Sequence, residues 1–273
     1  MKKRVVIAVL FIVLIGLGMA LWWTGRANEQ KQSNSQATTV ETPKVEAKIM
    51  LSLPGADPID AIEEDYNDPT SLWVVVNKDH PLSNPSYRPT DLTLMTDKSR
   101  TDKGNDERSI RAVAVADFTS LITAAKSAGY DLIIGSGFRS YDLQAYYYNH
   151  LVAVSGEAEA NQSSAKPGQS EHQTGLASDI TLRSMECYIA TCFGNTPAGK
   201  WLAAHAVEYG FIIRYPADKT EITKYEYEPW HIRYVGKPLA KALKQSGLTL
   251  DEALPYLQAV RTELINQKKI TVQ

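Results

Sequence analysis

Ser170-Glu171-His172-Gln173-Thr174-Gly175-Leu176-Ala177-Ser178-Asp179 is the stretch from which the rest of the chain can be read. Gly168 and Gly175 bracket the histidine, and Ala177 and Ser178 keep the backbone open to a bound group ahead of Asp179. The run Leu176-Ala177-Ser178-Asp179-Ile180 predicts a strand, on which Asp179 and Ile180 face opposite sides. A second histidine with chemical company stands in Glu228-Pro229-Trp230-His231, directly before the apolar run Ile232-Arg233-Tyr234-Val235. Two imidazoles and one carboxylate, here His172, His231 and Asp179, form a common ligand set for a catalytic zinc with its fourth position open to water. Glu228, beside a ligand and outside the set, is then the candidate base. Residues three apart on a regular strand point to opposite faces, so Glu228 and His231 share a site only if Pro229 breaks the strand. A histidine seven residues before an aspartate is also common by chance, and spacing alone leaves a structural reading open. Among the five histidines, His80 lies in a proline-rich loop, and His150 and His205 fall on predicted helices, where a core or surface role is expected.

Outward from this stretch, helices and short strands mix without regular alternation. Trp73-Val74-Val75-Val76 reads as a strand or extended segment, and Pro81, Pro85 and Pro89 enforce a loop after it. Val115, Phe118, Leu121, Ile122 and Ala125 recur at helical spacing between Ile110 and Ala128, and Gly129 supplies the stop. Leu132-Ile133-Ile134 predicts a buried strand, and a helix carrying Leu143, Tyr147, Leu151 and Val154 follows Ser140. A third helix starts at Thr196-Pro197 and stops at Gly210, burying Trp201, Leu202 and Val207; Phe211-Ile212-Ile213 is the next strand. Thr249 and Glu252 form a capping box for a last helix that must accommodate Pro255. This order favours an α+β fold over a doubly wound sheet.

The chain has 273 residues, 44% of them hydrophobic and 22% charged, which excludes a wholly disordered or collagen-like protein. Lys and Arg total 29 against 31 for Asp and Glu, so the broad basic face that nucleic-acid binding needs is missing. Two cysteines exclude both a disulfide scaffold and a four-cysteine zinc site. At the N-terminus, basic Lys2-Lys3-Arg4 precedes nineteen uncharged residues, Val5 to Trp23. As a helix this run spans about 28 Å, close to the roughly 30 Å of bilayer hydrocarbon. Its length and the closing Trp22-Trp23 pair favour an uncleaved anchor over a signal peptide, whose apolar region is usually shorter; Gly18-Met19-Ala20 keeps the cleaved alternative open. The basic start then stays in the cytoplasm and the rest of the chain lies outside. Residues 24–57 are rich in Gln, Ser, Asn, Thr, Glu and Lys and read as a flexible linker. The expected organisation is a cytoplasmic stub and membrane anchor at 1–23, the linker, and a single catalytic domain at 58–273. Cys187 and Cys192, five apart and extracytoplasmic by this topology, are expected to be bridged.

The pattern Ser170-x-His172-x-x-Gly175-x-Ala177-x-Asp179, followed by Glu228-Pro229-Trp230-His231, resembles the zinc D-alanyl-D-alanine carboxypeptidases of the VanY type. These belong to a wider group with lysostaphin-type peptidases and the hedgehog domain. Asn77-Lys78 with Pro81-Leu82, Ser136-Gly137-Phe138-Arg139-Ser140 with Gln144, and Tyr209-Gly210-Phe211-Ile212 before Arg214-Tyr215-Pro216 extend the likeness over roughly residues 70 to 240. The resemblance implies a small antiparallel sheet with flanking helices, one Zn²⁺ held by His172, Asp179 and His231, and Glu228 as base. It also implies peptidoglycan stem peptides ending in D-Ala as substrates. A guanidinium matches a terminal carboxylate with two parallel hydrogen bonds, which makes Arg139 the candidate clamp, with Ser170 and Gln144 as lesser contacts. Ser170 could equally orient a metal ligand. The leading expectation is a membrane-tethered D,D-carboxypeptidase. An L,D-carboxypeptidase trimming tetrapeptides to tripeptides is the near alternative, and a catalytically silent cell-wall-binding module the distant one.

Overall fold

The computed structural model describes residues 48–61 and 64–267. The anchor read at 1–23 and the linker up to residue 47 lie outside the described residues, among which no helix is long and apolar enough to cross a membrane.

The first described elements correct the linker boundary. Strand β1 (Met50–Leu51) pairs antiparallel with β2 (Ile59–Asp60), and both belong to the compact unit that starts at Lys48. Ile49, Leu51 and Leu53 are buried, so the linker does not run to residue 57. The physical reason is a period-two apolar alternation too short to show against its polar surroundings.

A second small hairpin pairs β3 (Leu92–Leu94) with β4 (Ser109–Arg111), and helix α1 (Ala112–Ser127) follows directly, ending before Gly129 at φ 92°. Next come β5 (Leu132–Ser136), α2 (Tyr141–Ser155) and α3 (Glu157–Ser163), with the Ser140 hydroxyl capping α2 by accepting from the Leu143 amide. A 3₁₀ turn at Glu171–Thr174 leads into β6 (Ala177–Leu182). Helix α4 (Pro197–His205), capped by Thr196, passes into a 3₁₀ turn that Gly210 closes at φ 80°, and β7 (Phe211–Tyr215) follows. Leu202 on α4 is fully buried, whereas Trp201 and Val207 are half-buried. A short α5 (Thr220–Thr223), strand β8 (Glu228–Tyr234), α6 (Lys237–Ser246) and α7 (Leu250–Asn266) complete the order. The capping box of Thr249 and Glu252 forms, and α7 continues through Pro255.

Strands β5, β6, β8 and β7 make one antiparallel sheet in that spatial order. This is the α+β architecture expected, a small antiparallel sheet with flanking helices. Alternation gives the sheet two chemically different faces. Ile180 and Ile232 point to the side of α1, where Phe118 and Leu121 pack against them in a core with Phe211. Burying a ring such as Phe118 contributes roughly 1.5–3 kcal/mol relative to leaving it in water. The opposite face carries Asp179, His231, Arg233 and Arg214. A second core, under β1, gathers Leu51, Trp73, Val75, Leu239, Leu243 and Leu257. The segment Trp73–Val76 joins no strand, with Trp73 in a turn, and its alternate side chains serve the two cores: Trp73 and Val75 one, Val74 and Val76 the other.

Candidate active site

Two adjacent strands bring the first pair of site residues together. Asp179 on β6 and His231 on β8 are directly opposite partners, which puts their Cβ atoms within about 4.5–5.5 Å on one face. His172 arrives from outside the sheet, on the 3₁₀ turn that Gly175 ends in the left-handed region, at φ 69°. Its Nδ1–H donates to the Gly137 carbonyl at 2.6 Å. Since a carbonyl can only accept, this bond fixes the tautomer and leaves Nε2 with its lone pair. The Ser136-Gly137-Phe138-Arg139-Ser140 segment is thus the rest on which His172 is oriented. Gly137 has no room for a side chain, because a Cβ there would stand 2.4 Å from the Ser109 carbonyl oxygen.

Glu228 and His231 share the site because β8 is irregular where sequence reasoning required it. The pairing of β7 with β8 shifts between Ile213 and Tyr215, so that Tyr215 faces Glu228 while Ile213 faces Ile232. Extra residues around Pro229 bulge the strand and re-aim its side chains. Glu228 Oε2 consequently lies 3.4 Å from His231 Nδ1.

The donor geometry fits a divalent ion. Ligand atoms of His172, Asp179 and His231 all lie within 4.8 Å of one another, and all three residues are buried. His172 Nε2 stands 3.3 Å, and His231 Nδ1 3.4 Å, from Asp179 Oδ1. Neighbouring ligands of a tetrahedral ion with arms of about 2.0–2.1 Å are separated by about 3.3–3.4 Å. His172 Nε2 and Asp179 Oδ1 are also buried without a hydrogen-bond partner among the described residues, a costly arrangement unless something else satisfies them. Electrostatics agree for His172: burial, then the Arg139 guanidinium, brings its imidazole down to about 4, leaving it neutral and able to ligate at pH 7. His231 goes the other way. Burial opposes its charge, but Asp179, Glu171 and Glu228 around it hold the imidazole well above its ordinary value, so a metal ion must displace a proton there. Burial also raises the Glu228 carboxyl above the usual carboxylate range, toward the basicity a proton acceptor needs near neutral pH.

The remaining candidates line the same cavity. A hollow of about 60 Å³ is bordered by Arg139, Gln144, Ser170, His172, Glu228 and His231, with Tyr215 and Tyr225. Its size suits a small terminal residue, far below the roughly 300–1,000 Å³ of pockets that take large ligands. Arg139 Nη1 donates to Gln144 Oε1 at 2.9 Å, Nη2 reaches Asp179 Oδ2 at 3.5 Å, and Nε is buried without a partner among the described residues. Gln144 is anchored in turn by donating to the Ala165 carbonyl at 2.7 Å. Ser170 is buried in the wall. Glu226, two residues from the base, is exposed and outside this cavity. His150 is exposed on α2, while His205 stacks on Trp201 and pairs with Glu208, so neither joins the site. Cys187 and Cys192 are disulfide-bonded, with Cα atoms 5.6 Å apart.

Sequence reasoning gave no role to Glu171, which lines the cavity, or to the charged groups behind it, Arg214, Arg233 and Asp251. A signal existed. Arg214 ends the apolar run Phe211-Ile212-Ile213 and Arg233 interrupts Ile232–Val235, and a charge within a buried strand requires a buried counter-ion.

Residues 107–237 match the VanY D-alanyl-D-alanine carboxypeptidase family. YodJ of Bacillus subtilis (strain 168), provisionally named a carboxypeptidase, is 39% identical over 238 residues, covering 86% of this chain and 84% of YodJ. The chain belongs to the VanY family. Among solved structures, the LdcB LD-carboxypeptidase is 44% identical, with a TM-score of 0.64 over 69% of this chain and 87% of LdcB. The D,D-pentapeptidase VanY of a VanB-type resistance cassette, crystallised as a variant with Zn(II), is 31% identical, with a TM-score of 0.56 over 68% of this chain and 99% of that one. Membership makes the chain a carboxypeptidase on peptidoglycan-type peptides. The His172, Asp179 and His231 cluster falls within the matched residues, and a VanY relative has been crystallised with Zn(II).

Proposed function

We propose that this chain is a zinc carboxypeptidase that removes the C-terminal D-Ala from peptidoglycan stem peptides, with one Zn²⁺ held by His172, Asp179 and His231. The observation that carries the reading is the convergence of three metal-type donors with a second carboxylate, Glu228, 3.4 Å from His231, beside a small cavity that Arg139 also lines. A bound zinc would supply a water of lowered pKa and positive charge for the developing oxyanion. Glu228 accepts the proton of the attacking water and returns it to the departing amine. Arg139, held by Gln144, binds the substrate's terminal carboxylate and so sets which bond lies over the base. The ligand triad and base are complete, which supports turnover over a silent binding module. The run Val5–Trp23 supports a single-pass anchor that holds the domain at the outer face of the membrane.

Two bonds fit this machinery, since both substrates end in a D-Ala carboxylate. The greater likeness to LdcB favours the L,D bond of tetrapeptides; the D,D bond of pentapeptides is the reading favoured by the family description. Mass spectrometry of purified muropeptides incubated with the full chain and zinc separates them. Tripeptide accumulating from tetrapeptide is the expected result. Consumption of pentapeptide with tetrapeptide left intact would move the assignment to D,D, and no loss of D-Ala from either would end the proposal.

Arg139→Ala should lower kcat/KM for peptides with a free carboxylate by about 100-fold, the loss of two charge-assisted hydrogen bonds at roughly 1.5 kcal/mol each. Substrates amidated at that carboxylate should be little affected. An equal loss on both would show that Arg139 acts through its contact with Asp179 instead.

A further inference from the structure

His231 has two ring nitrogens, and the Asp179 side accounts for one of them. The other, Nε2, is buried without a hydrogen-bond partner among the described residues and lies 3.5 Å from Glu171 Oε2, which is equally buried and equally without one. Glu171 is fully enclosed and cannot move away. Its Oε1 accepts from Arg214 Nε and from Arg233 Nη1, each at 2.8 Å. Both arginines are fixed in turn. Arg233 donates to the carbonyls of Leu72 (3.0 Å), Val74 (2.7 Å) and Tyr234 (3.1 Å). Arg214 is paired through both terminal nitrogens with Asp251, which also accepts from Asn77 Nδ2 at 2.8 Å. Two buried cations and two carboxylates balance, the condition under which such a cluster tolerates burial.

A carboxylate can only accept, so an orphan Oε2 facing an orphan imidazole nitrogen assigns a proton to Nε2, and the proton that a metal ion displaces from His231 is then the one on Nδ1. We propose that Glu171 is the positioning residue of His231: its Oε2 accepts from Nε2–H, which presents Nδ1 to the metal, and Arg214, Arg233 and Asp251 hold Glu171 in place. Asp251 stands in the first turn of α7, beside the capping-box Glu252, and lies beyond residue 237, where the family match ends. The C-terminal helix is therefore part of the metal-binding apparatus. This rests on the zinc reading above and adds to it a partner that selects tautomer and ring orientation, as outer carboxylates do for ligating histidines.

The test uses the full chain labelled with ¹⁵N-histidine and loaded with zinc. Long-range ¹H–¹⁵N correlation should show His231 bound through Nδ1, with a protonated, downfield, slowly exchanging Nε2–H. Glu171→Gln should weaken zinc binding about 10–100-fold in chelator competition and shift that Nε2–H signal upfield. Asp251→Asn should move both in the same direction by less, which a merely structural helix contact would not do. Metal bound through Nε2 in the wild type overturns the proposal, as does a Glu171→Gln protein with zinc affinity within twofold and an unchanged Nε2–H signal. If Glu171→Gln does not fold, the wild-type spectrum decides. A wild type that takes up no zinc removes the metal reading itself, an outcome distinct from zinc bound through the wrong nitrogen.

Discussion

Glu228→Gln should keep its zinc and lose about 10³-fold or more in kcat/KM toward D-Ala-terminated peptides. Glutamine fills the same volume at the start of β8 and leaves the His172, Asp179 and His231 donors untouched, but it can neither accept the proton of the attacking water nor return it to the amine. General acid–base groups contribute about 10²–10⁴-fold each time they act, and here one carboxylate acts in both directions. Its position is what gives the prediction its sharpness. Glu228 is close enough to His231, at 3.4 Å, to serve the same water, yet it stands outside the ligand triad. The measurements are metal content per chain and steady-state kinetics on one preparation. Activity within tenfold of wild type would remove Glu228 from the chemistry. A parallel fall in zinc content would make it a ligand instead.

Much of this site was legible because its three metal-type donors and its base come in two short blocks, and each block maps onto one local structure. The His172 block becomes a 3₁₀ turn ended by Gly175 and a strand, and alternation alone separates Asp179 from Ile180. What the sequence could not supply was adjacency. That Asp179 and His231 are opposite partners follows from β8 lying between β6 and β7, and spatial order is set by how whole faces pack rather than by any local signal. The Glu228–His231 pair was harder still, because regular strand geometry argues against it and only the bulge at Pro229 allows it. The linker boundary failed for a different reason. Ile49, Leu51 and Leu53 alternate as a buried strand should, but three apolar residues do not outweigh a polar neighbourhood until Leu239 and Leu257 are seen to cover them. Glu171 escaped notice because a lone glutamate beside a histidine reads as solvent-facing, whereas the two arginines that bury it are 43 and 62 residues away.

Asp179→Asn should abolish stoichiometric zinc binding, and with it all hydrolysis, while leaving the fold in place. Asp179 Oδ1 is the shared vertex of the site, 3.3 Å from His172 Nε2 and 3.4 Å from His231 Nδ1. Asparagine keeps the shape but exchanges a charged hard donor for a neutral amide, and it leaves Arg139 and the raised His231 imidazole with less opposing charge. Affinity should fall by more than the roughly 10–100-fold seen when outer partners of metal ligands are removed. His172→Ala should act alike, since it removes one of the three donors outright. A folding artefact is separated from loss of a ligand by thermal unfolding with and without zinc. A ligand that binds the native state alone stabilises it by about 4 kcal/mol at a thousand times its Kd. Wild type should therefore melt several degrees higher with zinc and lose that gain, and its activity, on chelation. Both variants should melt near the metal-free wild type and ignore added zinc. A zinc-dependent rise in either variant equal to that of wild type would mean the ion sits elsewhere, and the three buried donors would need another explanation.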